Sequence, residues 1–133
     1  MSEIHGRILI LEDDPDIMRL LNRTLSAAGY EVIRAYGGED ALRKVETTLP
    51  DLVLTDLAMP KMSGVQVIQT IKQNPETAHI PVLAVTAHMW DGIALSAGQA
   101  GVDGFINKPF SSKTLLQEVS NYLSGVHRPA AER

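Results

Sequence analysis

Cysteine is absent from the 133 residues. That excludes a disulfide framework and any thiolate metal site, and it suits a reducing compartment. Runs of Lys or Arg are absent too. With 16 acidic against 12 basic residues and a net charge of −4, the chain lacks the basic footprint that nucleic acid or an anionic membrane would require. Long hydrophobic runs are missing as well: the apolar stretch ahead of Glu12 is far too short for the core of a signal peptide or a membrane span. A soluble, cytoplasmic protein is the expectation. No internal repeat and no low-complexity segment interrupts the chain.

What is present is a 44% hydrophobic content in a chain the length of one domain, enough for a single continuous core. Residues 7–124 read as that domain, with tails over 1–6 and 125–133. The stretch VHRPAAER from Val126 is polar with Pro and Ala, and reads as a disordered end.

Five short apolar runs recur along the domain: Arg7 to Leu11, Glu31 to Tyr36, Asp51 to Thr55, Ile80 to Thr86 and Gly104 to Asn107. Three are nearly continuous Val, Ile and Leu, the pattern of a parallel strand covered on both faces. Helical patterns lie between them. Ile17, Leu20, Leu21, Thr24, Leu25 and Ala28 follow one helix face, with Asp14 as cap, Pro15 at the first helical position and Gly29 as terminator. The last helix has Ser111 or Ser112 as cap, Leu115, Val119, Tyr122 and Leu123 inward and Gly125 as stop. Weaker helices span about Glu39 to Thr47, Val65 to Gln73 and Trp90 to Ala100. Five alternations of strand and helix predict an α/β fold with one five-stranded parallel sheet flanked by five helices. In such sheets a ligand site lies beyond the carboxyl ends of the strands.

Residues at those ends carry the chemistry. Glu12, Asp13 and Asp14 follow the first strand, Asp56 the third, Thr86 ends the fourth and Lys108 follows the fifth. Each alone has an ordinary explanation, since acids cap helices and a lone lysine is usually solvated. Together, Glu12, Asp13 and Asp56 would gather three carboxylates. Two like charges about 4 Å apart repel by roughly 4 kcal/mol at an effective dielectric near 20, so such a cluster calls for a cation. Oxygen ligands without His or Cys select a hard ion, and magnesium suits one or two carboxylates plus a phosphate oxygen.

At this point the residues resemble a known family, the receiver domains of two-component response regulators. The resemblance runs from about Arg7 to Leu123, through ILILEDDP, LVLTDLAMPKMSG, VLAVTA and AGVDGFINKPF. Asp13 lies 43 residues before Asp56, Thr86 lies 30 after it and Lys108 lies 52 after it, as in the family pattern. The resemblance implies the strand order 2-1-3-4-5. It implies that Asp56 accepts a phosphoryl group from a histidine kinase or a histidine phosphotransfer protein. It further implies magnesium bound by Asp13, Asp56 and the backbone carbonyl of Ala58, with Glu12 acting mainly through water; Asp14 is assigned to helix capping. Lys108 and Thr86 would engage the phosphoryl oxygens, and Phe105 would turn inward in response or be a plain core aromatic. Pro109 would follow a cis peptide bond, and Gly64 would take a positive φ after the phosphorylation loop. By the same resemblance Ala58 and His88 would occupy positions that tune phosphoryl lifetime, although a lone His is more often a surface residue.

A switch of this kind takes up and slowly hydrolyses its own phosphoryl group and is not an enzyme acting on free substrates. Its downstream protein target would bind the fourth helix, fifth strand and fifth helix. Trp90 reads as either an exposed partner contact or a partly buried residue, and His5, His79 and His127 receive no role. A free-standing protein is expected; the alternatives are a receiver cut from a larger response regulator or hybrid kinase, and a receiver-like scaffold that is never phosphorylated. Two other classes fit poorly. A flavin-binding protein would need a phosphate loop where EDDP would repel one, and an aspartyl phosphatase would need a second acid and a substrate cap.

Overall fold

In the computed structural model, residues 3–59, 61–87 and 92–129 are described. The elements in order are β1 (Glu3–Ile4), β2 (Arg7–Leu11), α1 (Pro15–Ala27), β3 (Glu31–Ala35), α2 (Gly38–Thr48), β4 (Leu52–Thr55), α3 (Gly64–Gln73), β5 (Val82–Thr86), α4 (Gly92–Ala100), β6 (Gly104–Asn107), α5 (Ser112–Leu123) and β7 (Arg128–Pro129). The main sheet has the order β3-β2-β4-β5-β6 and is parallel throughout. Counting its five strands alone, this is the expected 2-1-3-4-5.

The unbroken apolar runs follow from burial on both faces. One face of β2 and β4, with Ile8, Ile10, Leu52 and Leu54, packs against Met18, Leu21 and Leu25 of α1 and Leu115, Val119 and Leu123 of α5. The alternate residues Leu9, Leu11 and Val53 pack against Ala41 and Val45 of α2, Val67, Ile68 and Ile71 of α3 and Ala97 of α4. Every residue of β4 is buried, leaving no side free to be polar. Each fully buried Leu or Ile contributes about 1.5–3 kcal/mol, so these two layers hold the sheet edge that carries the site.

Helix ends are set as the sequence suggested. Asp14 caps α1, accepting from Asp16 N (2.9 Å) and Ile17 N (3.4 Å) ahead of Pro15, while Gly29 has φ +96°. Ser111 caps α5. Two expectations are corrected. Gly64 does not have a positive φ. Its need is spatial: a Cβ there would lie 1.9 Å from the Asp56 carbonyl oxygen and 2.8 Å from Leu57 Cα, so backbone occupies the space any other side chain would fill. The second concerns the tail from Val126, whose described part, up to Pro129, does not run free. Arg128–Pro129 pairs antiparallel with Glu3–Ile4. Arg128 also pairs with Asp51 at 2.7 Å and donates to the Leu49 carbonyl at 3.0 Å. Two-residue strands carry no periodicity to read, and their anchor, Asp51, is far away in the chain. His88 and Trp90 lie outside the described residues.

Candidate functional site

Strand β2 runs to β3 on one side and β4 runs to β5 on the other, so the two neighbours β2 and β4 form the point where the strand order reverses. A crevice opens there beyond the strand ends. Leu11 is paired with Thr55, so the residues that follow, Glu12 and Asp56, leave the sheet side by side. Two strands further along the chain supply the rest. Thr86 pairs with Asn107, and Lys108 follows directly, its N–H donating to the Thr86 carbonyl at 2.9 Å.

One carboxylate oxygen from each of Glu12, Asp13 and Asp56 lies within 4.8 Å of the others, the one such cluster among the described residues. Glu12 is 1% exposed, Asp13 is exposed, and the Asp56 side chain is 11% exposed. The Lys108 ammonium lies among them, 2.9 Å from Glu12 Oε1 and 3.4 Å from Asp56 Oδ2. The other Glu12 oxygen accepts from Asp14 N at 3.1 Å. Burial pushes the Glu12 carboxyl above its ordinary value, and this outweighs the lowering by Lys108 and the Asp14 N–H. For Lys108, burial alone would lower the pKa; the hydrogen bond from its ammonium to Glu12 and the charges of Glu12 and Asp56 reverse that and raise it.

Asp56 is held on several sides. Its N–H donates to Leu11 O at 3.0 Å, its Oδ1 accepts from Leu57 N at 2.7 Å, and its carbonyl accepts from Thr55 Oγ1 at 2.8 Å. Oδ2 is the oxygen that faces Lys108. One cation among three carboxylates leaves an excess of negative charge. The donor set is all oxygen, its Asp13 side is open to solvent, and so it fits a hard divalent ion that keeps several waters.

Glu12, Asp13, Asp56 and Lys108 are therefore brought together as expected. Thr86 is fully buried at the end of β5, and Phe105, on β6, is half-buried and packed against the α2-α3-α4 core layer. Ala58 is exposed two residues past Asp56. Pro109 follows Lys108 across a cis peptide bond. Sequence reading missed Thr55, whose only visible signal was one hydroxyl at the end of an otherwise apolar strand.

A family model described as response regulator receiver domain matches residues 8–120. Among curated proteins, the polar-differentiation response regulator DivK of Brucella anthropi is 36% identical over 116 residues, spanning 87% of this chain and 94% of that protein. The hybrid signal transduction histidine kinase D of Dictyostelium discoideum is 33% identical over 125 residues, which are 92% of this chain but only 8% of that protein. Among solved structures, the receiver domain of a sensor histidine kinase from Pseudomonas aeruginosa, described with a magnesium ion coordinated in its active-site cleft, matches with TM-score 0.85 and 26% identity over 90% of this chain and 98% of that one.

Proposed function

This chain belongs to the response regulator receiver domains, and on that premise we propose that Asp56 is the residue on which it accepts a phosphoryl group. The observation that carries the assignment is the convergence of Asp56 with Glu12, Asp13 and Lys108 at the reversal point of the sheet. The chain is a signalling switch. Its donor is the phosphohistidine of a histidine kinase or phosphotransfer protein. An oxygen of the Asp56 carboxylate forms a bond to phosphorus while the phosphorus–nitrogen bond of the donor breaks, the electron pair staying on the imidazole. Later hydrolysis returns the free carboxylate.

Asp13 and Asp56 would hold magnesium directly, with the Ala58 carbonyl, while Glu12 acts through water. When bound, the ion neutralises charge on the transferring oxygens. Lys108 serves as a point charge that leaves its carboxylate partners for a phosphoryl oxygen, and the Thr86 hydroxyl donates to another. Phosphorylation adds about −1.5 to −2 charge, enough to bias a two-state equilibrium by a few kcal/mol. Phe105, beside this edge on β6, is the side chain that responds. Output then passes to a protein target at α4, β6 and α5; Leu95 on α4, 66% exposed, is an apolar contact offered there.

The test is intact mass after incubation with magnesium and acetyl phosphate. The wild type should gain one phosphoryl group, about 80 Da, and Asp56→Asn should gain none, with the gain lost when magnesium is removed. No adduct in the wild type even with a competent kinase would leave a scaffold that is never phosphorylated.

A further inference from the structure

Four polar or charged residues are buried among those described: Glu12, Thr55, Thr77 and Thr86. Glu12 and Thr86 belong to the site, and the Thr77 hydroxyl donates to Ile71 O at 2.8 Å, where it closes the end of a helix. Thr55 has no role yet. It is 0% exposed at the end of β4, between apolar layers, where a bare hydroxyl is costly unless bonded. Its Oγ1 donates at 2.8 Å to the carbonyl of the next residue, Asp56.

That carbonyl and the Leu57 N–H belong to one planar peptide unit, so they turn together. The N–H end donates to Asp56 Oδ1 at 2.7 Å. The carbonyl end is bonded by Thr55 and lies where only a glycine at position 64 leaves room, since a Cβ there would meet it at 1.9 Å. With Oδ1 occupied by the N–H, Oδ2 is left facing Lys108 at 3.4 Å. From this chain of contacts we infer that Thr55 is a positioning residue for phosphoryl transfer: its hydroxyl fixes the peptide that aims the Asp56 carboxylate. The inference rests on Asp56 being the acceptor. Without the hydroxyl the peptide keeps its steric seat at Gly64 but loses its anchor, the carboxylate samples other rotamers, and less of it stands ready for in-line attack.

Thr55→Val keeps shape and β-branching while removing the hydroxyl; Thr55→Ser keeps the hydroxyl in a smaller side chain. The rate of adduct formation with acetyl phosphate and magnesium is followed by intact mass, and the Leu57 amide resonance is followed by NMR without phosphodonor. Thr55→Val should form adduct about tenfold more slowly with its Leu57 amide shifted, and Thr55→Ser should stay within about threefold of wild type with that amide unmoved. If the wild type is modified and Thr55→Val keeps its rate, the positioning role is overturned. It is overturned equally if Thr55→Ser is as slow as Thr55→Val, because packing alone would then account for the loss. A wild type that forms no adduct instead removes the acceptor reading itself. Should Thr55→Val fail to fold, Thr55→Cys, similar in bulk with a weaker donor, takes its place with the same expectations.

Discussion

Lys108 and Glu12 show how much of the site rests on compensation between single charges. Glu12 is almost completely buried, and its raised pKa means that the folded state holds the proton more tightly than the unfolded chain does. Stability from this group is therefore fully present below its ordinary value near 4.5 and is lost as pH rises through the higher folded value. Lys108 works over a different window. Its raised pKa gives stability that persists through neutral pH and is lost only above its ordinary 10.5. Glu12→Gln removes the first dependence and also takes away the Glu12 charge that raises the Lys108 pKa, leaving Asp56 as the carboxylate that does so. In EDTA, the melting temperature of the wild type minus that of Glu12→Gln should become more negative between pH 4 and pH 8; a difference that stays flat would contradict the burial of an ionised Glu12. These acids were legible in the sequence because each directly follows an apolar strand. The reason for Gly64 was not, since a backbone so close that an added Cβ would lie 1.9 Å from the Asp56 carbonyl oxygen leaves no mark in residue type beyond the glycine itself.

Among the elements, the strands were read with small errors at their ends, because continuous Val, Ile and Leu report burial on two faces wherever it occurs. Helix α3 was read more weakly, from Val65, although its start is marked. Ser63 accepts from Gln66 N at 3.3 Å and the Gln66 side chain accepts from Ser63 N at 2.9 Å, a reciprocal cap one residue ahead of Gly64. This cap sets where α3 begins, hence where Gly64 meets the Asp56 carbonyl. Ser63→Ala should lower stability by about 1 kcal/mol in urea unfolding, and a loss below a few tenths of a kcal/mol would mean the cap contributes little. Helix α4 gave the faintest signal, since GIALSAGQA is apolar or small nearly all the way round and offers no clear stripe.

At the scale of the whole molecule the site and the clasp of β1 with β7 occupy opposite edges of the sheet. Asp51 precedes β4 as Asp56 follows it, and Arg128 reaches Asp51 and the carbonyl of Leu49, a left-handed residue at φ 45° that closes α2. No pattern in the sequence foretold this, because the Arg128 side chain joins residues 77 and 79 positions away rather than pairing through a strand long enough to show a period. Arg128→Ala should cost about 0.5–1 kcal/mol, the range for a partly exposed ion pair with one added hydrogen bond. Its rate of phosphoryl uptake should equal that of the wild type; a slower rate would show that the two edges communicate.

The clasp has a mechanical consequence. Glu3 lies opposite Pro129 and Ile4 opposite Arg128, so a tension applied to the two ends would load this ribbon as a zipper, one pair after the other, together with the Arg128–Asp51 ion pair at the foot of β4, before it loaded the hydrogen bonds between the five parallel strands. Such a ribbon opens at low force, and the sheet with its acidic crevice would be left unstretched while it does.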